Sequence, residues 1–312
     1  MSSRIFIASS VFAEFDDRPL KLIKDSGLSI IRNETKKRLT QQELIAQAKN
    51  AEAVIAGLEI YDTQVLEHLT DLRCISRCGV GVDNIDMVLA QKKGIEVFTT
   101  PDVVTGPVVE LTLAMILDLL RKVSQHSVLM RQHKWQRIMG QQLAGRTVGV
   151  IGLGRIGRKV AEVLSQLGAR VIGYDIHPDP AWAQKGNIFL VDLNQVICLS
   201  DILTLHLAVD HKNPFVLTNR HFKSMKPEAL IINVARGAFV DEAALLQALR
   251  NGHLAGAALD VFEQEPYQGP LCDLPNVILT PHVGTFTKQA RIDMEIQAAK
   301  NVVNFFSKCN LK

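Results

Sequence analysis

A glycine series carries the first chemical signal in this chain: Gly152, Leu153, Gly154, Arg155, Ile156 and Gly157 follow the apolar run Val148 to Ile151 directly and open the helical pattern Lys159 to Leu167. A strand before and a helix after is the context in which GxGxxG holds the pyrophosphate of a dinucleotide. Gly152 would allow the tight turn, Gly154 would let backbone approach the phosphates, and Gly157 would let helix and strand pack closely. The helix start at Arg155 and Ile156 would then present N–H donors and the positive end of its dipole to the phosphates. A ligand-free glycine turn would read the same way, but Asp175 argues against it. It ends the next apolar run, Val171 to Tyr174, 18 residues beyond Gly157, near the offset of the acid that accepts from ribose hydroxyls. A carboxylate there repels a 2′-phosphate, so NAD is expected over NADP, and His177 nearby could soften the preference. Three more polar residues, Arg236, Glu265 and His282, follow other apolar runs. They would share the carboxyl edge of one sheet, where ligands bind in open parallel sheets.

The elements that would hold these residues alternate along the whole chain. In the first hundred residues the short β-rich runs are Ile5 to Ala8, Leu28 to Ile31, Ala53 to Ala56, Cys74 to Ser76 and Ile95 to Phe98, with helical links such as Gln42 to Lys49 and Thr63 to Leu69. Such spacing implies βαβ units and a parallel sheet. Thr105, Gly106 and Pro107, with Glu110 in the first turn, introduce a long helix from Val108 to about Arg131, furnished as helix starts usually are. A second alternation follows: Val148 to Ile151, Val171 to Tyr174, Ile202 to Leu205, Leu230 to Asn233, Ala257 to Leu259 and Val277 to Leu279. Six strands are what a full dinucleotide-binding sheet needs. The last segment, Thr287 to Phe306, has Ile292, Ile296, Ala299, Val303 and Phe306 at helical spacing. It is expected to pack back on the first domain, leaving a cleft between two α/β lobes, a usual place for a ligand.

Five blocks together resemble the D-2-hydroxyacid dehydrogenase family, most closely its phosphoglycerate dehydrogenase-like branch, and the similarity spans nearly the whole chain. They are SRCGVGVDNID (Ser76 to Asp86), VGVIGLGRIG (Val148 to Gly157), NVARGAFVDEAAL (Asn233 to Leu245), GAALDVFEQEP (Gly256 to Pro266) and LPNVILTPHVG (Leu274 to Gly284). The resemblance implies an α/β protein of two doubly wound parallel-sheet domains. A Rossmann NAD-binding domain, 101–284, would be inserted in a flavodoxin-like substrate domain, 1–100 plus 285–312. It implies NAD as cofactor, a small 2-hydroxy or 2-keto acid as substrate, and a homodimer. By motif the catalytic residues fall on Arg236, Glu265 and His282. Arg236 can hold a substrate carboxylate and polarise the C2 oxygen through its fixed fork of donors. His282 can exchange the hydroxyl proton near neutral pH, and Glu265 would orient the imidazole and favour its charged form. The backbone of Gly79, Val80 and Gly81 would offer N–H donors to the carboxylate, with Arg77 close by. Asp260 would meet the nicotinamide amide, and Val234 and His206 would line the nicotinamide or ribose pocket.

The chain departs from the family pattern at three places. Leu207, Ala208 and Val209 replace a proline-containing stretch after His206, and Thr285, Phe286 and Thr287 replace a small-residue turn after Gly284. Ala56, followed by Gly57, Leu58 and Glu59, stands where phosphoglycerate dehydrogenases carry a phosphate-binding arginine. 3-Phosphoglycerate is therefore expected to be a poor substrate, although Arg77 remains as a residue that could bind an anion, and phosphoglycerate dehydrogenase proper stays open as an alternative.

Composition bounds the alternatives. With 312 residues, 47% hydrophobic and 21% charged, the chain reads as globular and long enough for two domains. A net charge of +3 leaves no electrostatic footprint for nucleic acid, and the run Lys36, Lys37, Arg38 reads as a solvated face. Five cysteines without a paired CxxC suggest neither a disulfide framework nor a zinc site. A reducing cytoplasmic setting is expected, and no metal. The start of the chain lacks a long apolar stretch, and Leu111 to Leu120 is too short to span a bilayer. L-specific lactate and malate dehydrogenases carry the glycine fingerprint close to the N-terminus, whereas a whole α/β lobe precedes it here. Formate dehydrogenases of this fold pair the histidine with glutamine. A non-catalytic NADH-sensing regulator on the same scaffold stays open.

Overall fold

The computed structural model describes residues 3–35, 37–209 and 214–309, with Cys309 described by its backbone only. Lys36 therefore lies outside the described residues, while Lys37 and Arg38 are exposed. The chain divides into two compact units, Met1–Val104 with Thr285–Lys312, and Thr105–Gly284.

Unit 1 is built on five parallel strands, β1 (Arg4–Ile7), β2 (Ser29–Arg32), β3 (Ala53–Ala56), β4 (Cys74–Arg77) and β5 (Glu96–Phe98), in the order β2-β1-β3-β4-β5. That is the flavodoxin-like order. Strands covered on both faces read as continuous apolar runs; Ile5, Phe6 and Ile7 of β1 and all of β3 are fully buried, whereas edge strand β2 is largely exposed. Local signals agree with this frame. Thr40 and Glu43 form a reciprocal capping box on the helix Gln41–Ala48, and Asp62 caps Thr63–His68. The terminal helix Lys288–Cys309 contributes Ala298, Ala299, Val302, Phe305 and Phe306 to a core shared with Ile5, Ile7, Ile55 and Cys74. Its buried stripe is thus rotated from the one read in the sequence, since Ile296 and Val303 are only half-buried. Alanines at 298 and 299 let the helix lie close to the sheet, and Asn301 reaches the Ser76 hydroxyl and the Thr99 carbonyl.

Unit 2 carries seven parallel strands: β6 (Thr147–Ile151), β7 (Arg170–Tyr174), β8 (Phe189–Leu190), β9 (Ile202–Leu205), β10 (Ala229–Asn233), β11 (Leu254–Leu259) and β12 (Val277–Leu279). Their order is β12-β11-β10-β9-β6-β7-β8, the dinucleotide-binding order with one added strand. Side chains alternate between faces. Leu203, Leu205 and Ile231 meet the layer containing Leu245 and Leu249, whereas Ile202, Leu230 and Ile232 meet the layer containing Met115, Ile116 and Val160. The long helix expected after Val108 is two helices, Thr105–Arg121 and Val123–Arg131, broken at Lys122 with φ +57°. Asp118 supplies the reason: its carboxylate accepts from the Ser124 N–H and hydroxyl, capping the second helix. β8, two residues long, was too short to show as a periodic run.

Candidate active site

The switch point of unit 2 lies at β6, which pairs with β7 on one side and β9 on the other, and a crevice at the strand carboxyl ends is expected there. The fingerprint turn occupies that point. Gly152 has φ +92°, and a Cβ on it would lie 2.6 Å from the His206 carbonyl oxygen; a Cβ on Gly157 would lie 1.8 Å from the Gly152 carbonyl oxygen. No side chain fits at either position. At Gly154, the N-cap of the helix Arg155–Gln166, a Cβ would meet nothing within 4 Å. Tight packing behind and open space in front is the geometry a pyrophosphate needs against helix N–H groups. Arg155 is exposed on the first turn of this helix, Ile156 half-buried.

Asp175 stands one residue beyond β7, and its carboxylate accepts from Leu153 N at 2.6 Å and His177 N at 2.8 Å. The acid is thereby pinned to the fingerprint turn. On the other side of the turn, His206 follows β9, its Nε2 2.9 Å from the Thr204 hydroxyl. Burial lowers its pKa to about 3, so the ring is neutral at physiological pH. Val234, just past β10, is buried.

Arg236, Glu265 and His282 follow three adjacent strands, β10, β11 and β12. Asn233, almost fully buried, accepts from Ala235 N at 3.1 Å and donates to the Arg236 carbonyl at 2.8 Å. It thus fixes the backbone from which the half-buried Arg236 projects. The next residue must be glycine: a Cβ on Gly237 would lie 1.9 Å from the carbonyl carbon of Phe262. This contact seats the Arg236 loop directly on the loop leading to Glu265. Both Glu265 oxygens lie in reach of His282 Nδ1, at 2.9 and 3.1 Å, and the two side chains are 30% (His282) and 25% (Glu265) exposed. With Nδ1 engaged by the carboxylate, Nε2 is the nitrogen left to exchange a proton with a ligand.

Asp260, 1% exposed, organises the loop that presents His282. Its carboxylate accepts from the Thr280 hydroxyl at 2.6 Å, Val283 N at 2.7 Å and Gly284 N at 2.8 Å, while its backbone carbonyl accepts from His282 N at 2.9 Å. Burial raises the carboxyl pKa, and these hydrogen bonds oppose the shift. His282 itself has φ +53°, a left-handed conformation uncommon outside glycine, which the four bonds to Asp260 hold in place. Sequence reasoning placed Asp260 against a cofactor and missed this function, along with Asn233 and Thr280. The available signal was a polar residue closing each buried strand.

In unit 1 the candidate residues lie at the end of β4, which Arg77 closes, and in the turn after it. Arg77 is half-buried, its guanidinium folded over Gly79 and donating to the Cys78 carbonyl. The Gly79 N–H donates to the Thr100 hydroxyl at 2.8 Å, and Thr100 N donates back to the Gly79 carbonyl. The Gly79 N–H, expected to face a substrate carboxylate, is thus engaged within the fold, which weighs against it as a donor to a ligand. Cys74 and Cys78 are both buried, and burial pushes the Cys78 thiol up to about 12. Ala56 is buried at the end of β3, and Glu59 turns inward, its carboxylate 2.9 Å from Gly57 N. Among the described residues no group of three His, Cys, Asp or Glu side chains could hold a metal ion, and no helix is long and apolar enough to cross a membrane.

Comparison with known proteins identifies the family. The family described as "D-isomer specific 2-hydroxyacid dehydrogenase, NAD binding domain" matches residues 113–284. D-3-phosphoglycerate dehydrogenase of Pongo abelii is 38% identical over 87% of this chain, which spans 51% of that protein. The chain thus spans about half the length of the phosphoglycerate dehydrogenases it matches. Glyoxylate reductase of Thermococcus litoralis is 34% identical, covering 84% of this chain and 82% of its own. A crystal structure of D-lactate dehydrogenase from Aquifex aeolicus, complexed with NAD and lactic acid, superposes with a TM-score of 0.86 at 28% identity, covering 99% of this chain and 96% of the other. The sheet orders, the glycine turn and these relatives agree, and the chain belongs to the D-isomer specific 2-hydroxyacid dehydrogenase family.

Proposed function

We propose that this protein is an NAD-dependent oxidoreductase that interconverts a small D-2-hydroxy acid and its 2-keto acid. The observation that carries the reading is the Glu265–His282 pair, set beside Arg236 at the carboxyl edge of a sheet whose switch point has the shape for a dinucleotide. NAD, when bound, would supply the acceptor for the hydride that leaves C2 in oxidation, and NADH the donor in reduction. Gly154, Arg155 and Ile156 would hold its pyrophosphate, Asp175 its ribose, and His206, Val234 and Asp260 would lie toward the nicotinamide. Arg236 holds the substrate carboxylate and polarises the C2 oxygen; within unit 1, Arg77 and the N–H groups of Val80 and Gly81 are separate candidates for binding a carboxylate. His282 takes the hydroxyl proton at Nε2 in oxidation and returns it in reduction. Glu265 keeps the Nδ1–H tautomer and stabilises the positive charge the ring acquires.

A single substitution tests the pair. Glu265→Gln preserves size but removes the charge, and its amide NH2 can donate to Nδ1 and so select the wrong tautomer. It is expected to lower kcat for reduction by about 10- to 100-fold; wild-type kcat across the neutral range would remove Glu265 from this role. For the cofactor, Asp175 is expected to give NADH at least about a tenfold advantage in kcat/KM over NADPH, roughly 1.4 kcal/mol. Equal values would contradict it.

The substrate is expected to lack a phosphate. Ala56 offers no cation at the end of β3, and a missing charge-assisted contact forfeits about 1.5 to 3 kcal/mol. Measured kcat/KM with NADH should be lower for 3-phosphohydroxypyruvate than for glyoxylate, hydroxypyruvate or pyruvate. A tenfold advantage for the phosphorylated compound would show that another basic residue supplies a phosphate site. The proposal includes a homodimer, supported by the apolar side chains of Val123, Val128, Met130, Trp135 and Met139, the last two 85% and 92% exposed. Large apolar side chains exposed to this degree within one segment, 123–139, suit a surface that a second copy of the chain would cover. It also includes the cytoplasmic setting expected from the cysteine usage.

A further inference from the structure

Arg158 lies in the first turn of the helix that follows the fingerprint, where a cation opposes the helix dipole. Local conflicts of this kind collect at functional sites, and the contacts of Arg158 are specific. Its Nε donates to the Leu153 carbonyl at 2.9 Å, its Nη1 to Asp179 Oδ2 at 2.8 Å, and its guanidinium carbon lies 4.9 Å over the ring of Trp182. The far side is braced in turn. Asp179 Oδ1 accepts from Trp182 N at 3.1 Å, and Trp182 Nε1 donates to Glu162 at 3.0 Å.

We propose that Arg158 is a positioning residue for the dinucleotide, orienting the peptide between Leu153 and Gly154 so that the Gly154 N–H faces the pyrophosphate. The inference rests on the NAD reading above. A trans peptide is planar, with its C=O and N–H pointing in opposite directions, so fixing the Leu153 carbonyl fixes the Gly154 N–H. Gly154 is where a side chain would meet open space. Asp175 holds the neighbouring Leu153 N–H at 2.6 Å. Leu153 is therefore gripped on both sides, by the ribose-binding acid through its N–H and by Arg158 through its C=O. The fork matters because one side chain must satisfy the Leu153 carbonyl and Asp179 together, which a lysine ammonium does less well. Arg158 is a third exposed, and a pair so placed adds little to stability. Its substitution should therefore be read in cofactor affinity.

The test is the equilibrium Kd for NADH, measured by fluorescence on the purified full chain without substrate, together with Tm. Arg158→Leu is expected to raise Kd about tenfold, with Tm within about 4 °C of the unsubstituted protein and kcat at saturating NADH falling less than its KM rises. Two further variants separate positioning from simple charge. Arg158→Lys keeps the charge and should still bind NADH about fivefold more weakly. Asp179→Asn removes a negative charge, which on charge alone would tighten NADH, yet by freeing the Arg158 fork it should weaken binding about threefold. Wild-type affinity in Arg158→Lys, or tighter binding in Asp179→Asn, overturns the positioning role and leaves the function standing. Failure of the unsubstituted chain to bind NADH overturns both.

Discussion

His282→Ala is expected to lower kcat for reduction of a 2-keto acid by about 100-fold or more, while the Kd for NADH stays within about twofold. The size follows from what is removed. Nε2 is the nitrogen that Glu265 leaves available, and the substitution takes away the group proposed to return a proton to the C2 oxygen. The imidazole is also held with care, through a left-handed backbone conformation and the bonds that Asp260 accepts from Thr280, Val283 and Gly284. The check is steady-state kinetics with NADH beside a direct binding measurement. Near-wild-type turnover would assign the proton transfer elsewhere, whereas parallel losses in kcat and NADH affinity would indicate collapse of the loop.

Gly157→Ala is expected to be as damaging by a different route. Its Cβ would lie 1.8 Å from the Gly152 carbonyl oxygen, closer than any van der Waals contact permits, so the helix Arg155–Gln166 must move away from β6. Overpacking of this kind costs about 1 to 3 kcal/mol, and the displaced helix start carries the N–H groups meant for the pyrophosphate. NADH Kd should rise about 100-fold or more, with a lowered Tm, since both losses arise from one displacement. Unchanged Kd and Tm would mean that the helix adjusts freely and that the tight turn is not what shapes the phosphate site.

Much of the fold was legible because buried parallel strands announce themselves as short apolar runs. Ala53–Ala56, Ile202–Leu205 and Val277–Leu279 were read with the boundaries they have. Two features escaped. The helix after Val108 breaks at Lys122 because Asp118, a residue with an ordinary place in a helix, turns its side chain to cap the next one. The edge strand β8 has only two residues, fewer than any periodicity can reveal. The site was legible in part for the same reason: residues at strand ends are constrained by the strands. Glu265 and His282 do meet, and Asp175 does reach the glycine turn. What the sequence hid was the commitment of polar groups to one another. The Gly79 N–H looked available until Thr100, 21 residues away, was found accepting from it. Asp260 read as a cofactor contact, and nothing in its spacing showed that three donors from the His282 loop also converge on its carboxylate. Partners brought in by tertiary folding leave no spacing pattern in one chain.

The central claim is hydride transfer at C2 of a D-2-hydroxy acid, and the most direct measurement is loss of NADH absorbance in a panel of 2-keto acids, with chiral analysis of each product. Turnover is expected to depend on both NADH and a 2-keto acid, to yield the D isomer, and to fall sharply in His282→Ala. NADH binding without turnover on any member of the panel would contradict it and favour an NADH-sensing role, and an L product would contradict the stereochemistry.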